Sequence, residues 1–262
     1  MEYGESPIWN VLSEAFLRQE YPLDYEEQKR IKALGKEYRC PYVIPCANAW
    51  TEHIAVGFSF NQFPLEIQEK VKNKDVIDGG GFSGDSAMVF TEYGPRKVFT
   101  FEPNPDTIPI MKQVLENNAA VLGDRKDRIE IVPLALGKSK GTLTLYANDS
   151  GSDASATMLP SGNKAKAHEV DVISIDEFVE SHSLDIGLIK LDVEGFEYDT
   201  ILGAKETIIK QKPLLVISLY HTFKDFFEIK PLIESWEIGY RFEIRHHMPS
   251  VADGEFILMA YI

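Results

Sequence analysis

The segment Val76-Ile77-Asp78-Gly79-Gly80-Gly81-Phe82-Ser83-Gly84-Asp85 limits the folds open to this chain more than any other. An apolar run ends in an acid, four glycines fall within six residues, and a helix-like stretch, Asp85–Glu92, follows. The pattern reads as strand, tight turn, helix. Glycine allows the chain to turn sharply and lets a ligand approach the backbone, and the start of the helix offers free N–H groups. Such a turn belongs at the carboxyl edge of a parallel sheet, where a nucleotide-like cofactor lies across it.

The rest of the chain supports that placement. From residue 74 onward, strand patterns (Asp75–Ile77, Lys97–Phe101, Ile129–Leu134, Leu188–Leu191, Leu214–Leu219) alternate with helix patterns (Asp85–Glu92, Thr107–Ala119, Ile175–Ser181, Tyr198–Ile209, Phe226–Ser235). This alternation predicts an α/β fold with a mainly parallel sheet covered on both faces. Tyr240–Arg245 and Glu255–Tyr261, joined by a turn around Pro249 and Gly254, predict an antiparallel hairpin at one edge. Gly141–Tyr146 reads as a further strand, and Asn148 to Lys166 as a flexible, polar stretch. Residues 1–70 differ in texture: Ile8 to Gln19 and Tyr25 to Leu34 look helical, and an N-terminal helical extension or cap is expected ahead of a cofactor domain over 71–262.

Composition narrows the partners. With 27 basic and 41 acidic residues the net charge is −14, which argues against nucleic acid or an anionic membrane as the main partner. No apolar run approaches the roughly 18 residues of a membrane span. Cys40 and Cys46, with no second pair, make a poor zinc site and read as reduced thiols. With no signal-peptide pattern at Met1–Glu5, a cytoplasmic location is expected.

Three constellations carry the chemistry. In the first, Gly79-x-Gly81-x-x-Gly84 formally matches a dinucleotide fingerprint, with Glu102 eighteen residues past the last glycine. The match fits an NAD(P)-dependent oxidoreductase, and it fits an S-adenosyl-L-methionine methyltransferase. Asp78 favours the second, because a carboxylate suits a cationic amino-acid end better than a pyrophosphate. Glu102 ends the second strand in Phe101-Glu102-Pro103-Asn104, where its oxygens can accept bonds from ribose hydroxyls. The second is Ile189-Lys190-Leu191-Asp192-Val193-Glu194-Gly195-Phe196-Glu197, which brings Asp192 and Glu194 towards the reacting end of the cofactor; Glu197 reads as a helix-dipole or surface acid. The third is the strand end Tyr220-His221, where His221 is the first choice of base for a hydroxyl and Asp192 the second. His246 and His247 either line the pocket or cap the hairpin. Asp192, Glu194 and His221 could also hold a divalent ion, but no tight spacing demands one, and no metal site is assigned. A non-catalytic cofactor-binding module stays open as a further alternative.

At these residues the chain resembles the FkbM family of S-adenosylmethionine-dependent methyltransferases over roughly residues 74–262. The resemblance rests on the turn Asp78–Gly84, on Phe101-Glu102-Pro103-Asn104, on Pro133-Leu134-Ala135-Leu136-Gly137, on the Lys190 to Glu197 element, and on the tail from Tyr220-His221 to Arg245-His246-His247. It implies a class I methyltransferase (Rossmann-like) fold, with a seven-stranded sheet whose last strand is antiparallel. It implies methyl transfer to a hydroxyl of a sugar, glycan or natural product. The cofactor set carried over is Asp78, Gly79, Gly80, Gly81, Gly84, Asp85, Glu102, Pro103 and Asn104, and the catalytic set is Asp192, His221 and Glu194. Phe82 stands where the family commonly has Asn. Residues 1–70 match no pattern. Tyr42, Trp50, His53, Phe58 and Phe60 there either line an acceptor site or, as most such residues do, belong to the core. The loop Ser150 to Thr157 is expected to close over bound ligands.

Overall fold

The structure, a computed structural model, describes residues 30–31, 33–44, 53–147, 156–157, 166–246 and 256–262. The expected helix Ile8 to Gln19, most of Tyr25 to Leu34, Cys46, Trp50, His247 and the turn at Pro249 and Gly254 lie outside these residues. So does the expected closing loop, except for its last two positions.

A seven-stranded sheet forms the centre. Its strands are β1 (Asp75–Gly79), β2 (Lys97–Phe101), β3 (Ile129–Val132), β8 (Ile186–Leu191), β9 (Leu214–Ser218), β10 (Arg241–His246) and β11 (Phe256–Tyr261), in the spatial order β10-β11-β9-β8-β1-β2-β3. The five strands from β9 to β3 pair in parallel, and β11 runs antiparallel to both β9 and β10. The expected edge hairpin is present. The chain leaves β1 towards β2 on one side and returns on the other side as β8, so the order reverses between β1 and β8. That reversal opens a crevice at the carboxyl ends of the strands, the place where ligands bind in such sheets.

Period-two alternation splits the apolar residues between two layers. Ile77, Phe99, Ile189, Leu215 and Ile217 face a core shared with the helices Ile175–His182, Glu197–Leu202, Lys205–Gln211 and Phe223–Glu234. Their neighbours Val76, Val98, Leu188, Leu214 and Val216 face the opposite core, with Ala87 and Phe90 of the helix Asp85–Phe90 and with Phe60 and Phe63. Burial on both sides explains why these strands are continuous apolar runs. Tyr42, His53 and Phe60 are buried, as the core reading of these residues expects.

Of a second sheet the sequence shows only the strand expected at Gly141–Tyr146. The sheet has the order β4-β7-β5-β6, from β4 (Ala135–Leu136), β5 (Gly141–Ala147), β6 (Ala156–Thr157) and β7 (Lys166–Ile173). Strand β7 pairs antiparallel with β5 from Gly141↔Val172 to Ala147↔Lys166. Lys166, the last residue of the stretch expected to be flexible, is the first residue of this long strand. The last two residues of the expected loop, Ala156 and Thr157, pair with Ala147 and Tyr146.

Candidate active site

The pocket lies in the crevice between β1 and β8. Its wall includes Gly80, Phe82, Asp85, Glu102, Pro103, Lys190, Asp192, Glu194 and Tyr220, with Phe58 at one side and Leu136 and Leu145 from the second sheet at another. Six of the residues expected at the site, Gly80, Asp85, Glu102, Pro103, Asp192 and Glu194, thus share one wall. Asp78, Gly79, Gly81, Gly84, Asn104 and His221 stand behind it.

The glycine turn is shaped by close backbone approach. Gly80 has φ +78°, and a Cβ there would lie 1.8 Å from the backbone carbonyl oxygen of Asp192. A Cβ on Gly81 would lie 2.0 Å from Thr100 Oγ1. Phe82 takes φ +39°, in the left-handed region where Asn is tolerated better than a bulky side chain. The turn is held from below. Asp78 is fully buried; its Oδ2 accepts from Ser86 Oγ at 2.8 Å and Thr100 Oγ1 at 2.9 Å. Lys190, buried at the pocket floor, donates to the carbonyls of Gly79 (3.1 Å) and Gly80 (2.9 Å) and lies 3.4 Å from Asp78 Oδ1. Burial alone would lower the Lys190 pKa, but the carboxylates of Asp78, Asp192 and Asp85 hold it above its ordinary value.

Glu102 is pinned by two backbone donors. The Phe82 N–H reaches Oε2 at 3.0 Å and the Asn104 N–H reaches Oε1 at 2.8 Å. Burial pushes its pKa up to about 7, against the opposing effect of those two bonds. Each oxygen keeps a lone pair for a donor in the pocket. Asn104 Oδ1 accepts the Asp106 N–H at 3.0 Å, which shapes the loop around Pro103. Burial also raises the Asp85 pKa, with Ser83 Oγ donating to it at 3.1 Å.

At the other end of the pocket His221 is surrounded by acids. Its Nδ1 lies 2.9 Å from Glu197 Oε1, and its Nε2 lies 3.6 Å from Asp192 Oδ1 and 3.7 Å from Glu194 Oε2. Burial works to lower the His221 pKa, but Glu197, Glu194 and Asp192 together raise it to about 10. Tyr220 Oη donates to Asp192 Oδ1 at 3.1 Å. Burial would raise the Asp192 pKa, and the Lys190 and His221 cations outweigh it, so the group stays below its ordinary value. Burial raises Glu194 to about 7.

Glu197 corrects the sequence reading. It is not a surface acid: it is fully buried and accepts the N–H groups of Val193 (2.7 Å) and Gly195 (2.9 Å) as well as facing His221. The spacing Glu194-Gly195-x-Glu197 carried the signal, since a glycine turn places the second acid back over the N–H groups of that turn. Ser86, Thr100, the reach of Lys190 to the glycine turn and the wall supplied by Leu136 and Leu145 were also not anticipated. His246 ends β10, two strands from β9.

The strand order and the glycine turn at its reversal define a class I methyltransferase fold. The chain belongs to the FkbM methyltransferases: the model of that family, described as the methyltransferase FkbM domain, matches residues 77–242. A 2-O-methyltransferase, NoeI, of Sinorhizobium fredii (strain NBRC 101917 / NGR234) is 24% identical over 200 residues, which cover 70% of this chain and 78% of that protein. The crystal structure of an FkbM methyltransferase from Methylobacillus flagellatus KT matches with a TM-score of 0.56 at 19% identity over 94% of this chain. This chain spans 60% of that structure's length. Of the activities that the glycine turn leaves open, family membership selects methyl transfer over nicotinamide redox chemistry. Among the described residues, no helix is long and apolar enough to cross a membrane.

Proposed function

We propose that the protein transfers a methyl group from S-adenosyl-L-methionine to a hydroxyl oxygen of a sugar, glycan or natural-product acceptor. The observation that carries this reading is the juxtaposition, across one pocket, of a bare glycine turn with Glu102 at one end and the Asp192–Glu194 carboxylates at the other. The residues fit the cofactor: the backbone at Gly80 is bare on the pocket wall, and Glu102 beside it is fixed by two backbone N–H groups with lone pairs left for ribose hydroxyls. Bound S-adenosyl-L-methionine supplies the methyl group as an already activated sulfonium. The protein's task is then to align an oxygen and remove its proton.

In this reading Glu102 accepts the ribose hydroxyls, and Asp78, acting with Lys190, sets the potential under the amino-acid end. Asp192 and Glu194 accept hydrogen bonds from adjacent acceptor hydroxyls, and Glu194, on the pocket wall and half-exposed, takes the proton. His221 stands behind that wall with Nδ1 committed to Glu197, so its part is to orient and charge the two carboxylates. Transfer to oxygen is supported by the name of the NoeI relative, and a small acceptor by the net charge of −14, which disfavours a polyanion.

The test is incubation of the full chain with methyl-labelled S-adenosyl-L-methionine and a panel of glycosides, aglycones and short RNA. Label on a glycoside or aglycone oxygen, blocked when that hydroxyl is already methylated, is the expected result. Label on RNA alone, or on nitrogen or carbon alone, would refute the acceptor assignment.

A further inference from the structure

We infer that Asp192, Glu194 and His221 Nε2 form a site for one divalent cation at the inner end of the pocket, with Glu197 fixing the imidazole from behind. His221 Nε2 is buried and has no hydrogen-bond partner, in a side chain only 10% exposed. It points between two carboxylate oxygens at 3.6 and 3.7 Å, beyond hydrogen-bonding distance from either. Donors about 2.1–2.2 Å from one ion stand roughly 3.0–3.6 Å apart in octahedral or tetrahedral geometry, close to the distance of Nε2 from each of the two carboxylate oxygens. An orphaned ring nitrogen at ligand spacing from two acids is a different arrangement from an ion pair in contact.

The hydrogen bond on the other ring nitrogen has the matching sense. Glu197 Oε1 accepts the Nδ1–H at 2.9 Å, so Nε2 is the ring position that faces Asp192 and Glu194 and exchanges its proton for a cation. A carboxylate behind a metal-bound histidine does this in many sites. Asp192, Glu197 and His221 each offer an atom within 4.8 Å of the others. Both Glu197 oxygens, however, already accept backbone N–H groups, so Glu197 is the supporting group and the half-exposed Glu194 the ligand. Glu194 adopts φ +55° beside Gly195 at +97°, a backbone that turns the acid inward. Two carboxylates and one imidazole suit a first-row ion such as Mn²⁺ better than Ca²⁺. Where the imidazole is protonated, the cation takes the place of the Nε2 proton, which goes to solvent. An open coordination position would receive the acceptor's hydroxyl and make it more acidic, with the second Glu194 oxygen left to take its proton; this role rests on the methyl-transfer reading, whereas the site does not.

The experiment is titration of the chelator-stripped full chain with Mn²⁺, following loss of the free-ion electron paramagnetic resonance signal. One site with a micromolar Kd is expected, weakened at least tenfold in His221→Gln and in Glu194→Gln and about tenfold in Glu197→Gln, each checked for folding by circular dichroism. No binding below millimolar Mn²⁺, or equal binding by wild type and all three variants, overturns the site. S-adenosyl-L-methionine binding is measured on the same wild-type sample. Mn²⁺ bound with the expected variant pattern but no cofactor bound upholds the site and refutes the methyl-transfer reading instead.

Discussion

Replacing Gly80 with alanine tests the crevice at its tightest point. The new Cβ would lie 1.8 Å from the Asp192 carbonyl oxygen and 2.8 Å from its carbon. The obstacle is backbone and cannot rotate away. The left-handed conformation alone costs an L-residue about 1–2 kcal/mol. Relieving the contact requires the ends of β1 and β8 to part by more than about 1 Å, beyond what a hydrogen bond tolerates. Two bonds span that gap, Asp192 N–H to Gly79 O at 3.1 Å and Lys190 Nζ to Gly80 O at 2.9 Å. Each contributes about 1 kcal/mol, more where charged. The sum is about 3–5 kcal/mol, or roughly 6–20 °C in Tm for a chain of this size. Gly94→Ala is the control. It has φ +74°, but its nearest neighbour is Lys72 Cγ at 3.6 Å, an ordinary contact, so only the conformational cost applies. Urea denaturation of both variants beside wild type reads the difference directly. Equal losses at Gly80 and Gly94 would refute the close approach of β1 and β8.

Three further outcomes follow from the same geometry. Glu102 has its pKa raised from 4.5 to about 7 on folding, so the native state holds the proton more tightly between those values, and stability falls as pH rises through that window by about 3 kcal/mol. Glu102→Gln should remove that fall, and unfolding at pH 5 and pH 8 with an unchanged pH dependence in the variant would contradict it. Lys190→Met should destabilise by about 3–5 kcal/mol because it strands the buried Asp78 carboxylate. Adding Asp78→Asn should recover part of the loss in denaturant unfolding, and strict additivity would count against the pairing. Ser174 caps the helix Ile175–His182 reciprocally with Glu177, so Ser174→Ala should cost about 1 kcal/mol with cofactor binding unchanged.

The parts of the fold that were legible share a physical basis. Strands buried on both faces are continuous apolar runs, so β1, β2, β8 and β9 stood out, and the glycines beside Asp78 marked where the sheet order reverses. Strand β7 was hidden because its residues, Lys166 to Ile173, alternate with exposed Lys, Glu and Asp on a small sheet with one open side. Its partner β5 lies far enough away that only tertiary pairing reveals it. In the site, Asp192 and Glu194, just ahead of Gly195, and Glu102, just ahead of Pro103, were recognisable because acids at the carboxyl ends of parallel strands open onto the crevice. Glu197 was misread because sequence alone cannot tell an acid at a helix start that faces solvent from one folded back over the N–H groups of the turn before it. Lys190 was hidden by its strand: nothing local shows that a lysine between Ile189 and Leu191 threads to the carbonyls of a turn 110 residues away.

The most direct test of the account is calorimetric titration of the purified chain with S-adenosyl-L-methionine, S-adenosylhomocysteine and NAD, in parallel with Glu102→Ala. Saturable binding of the first two at one site with micromolar Kd, lost in the variant, and no heat from NAD is the predicted result. Binding of NAD in place of the other two would contradict it.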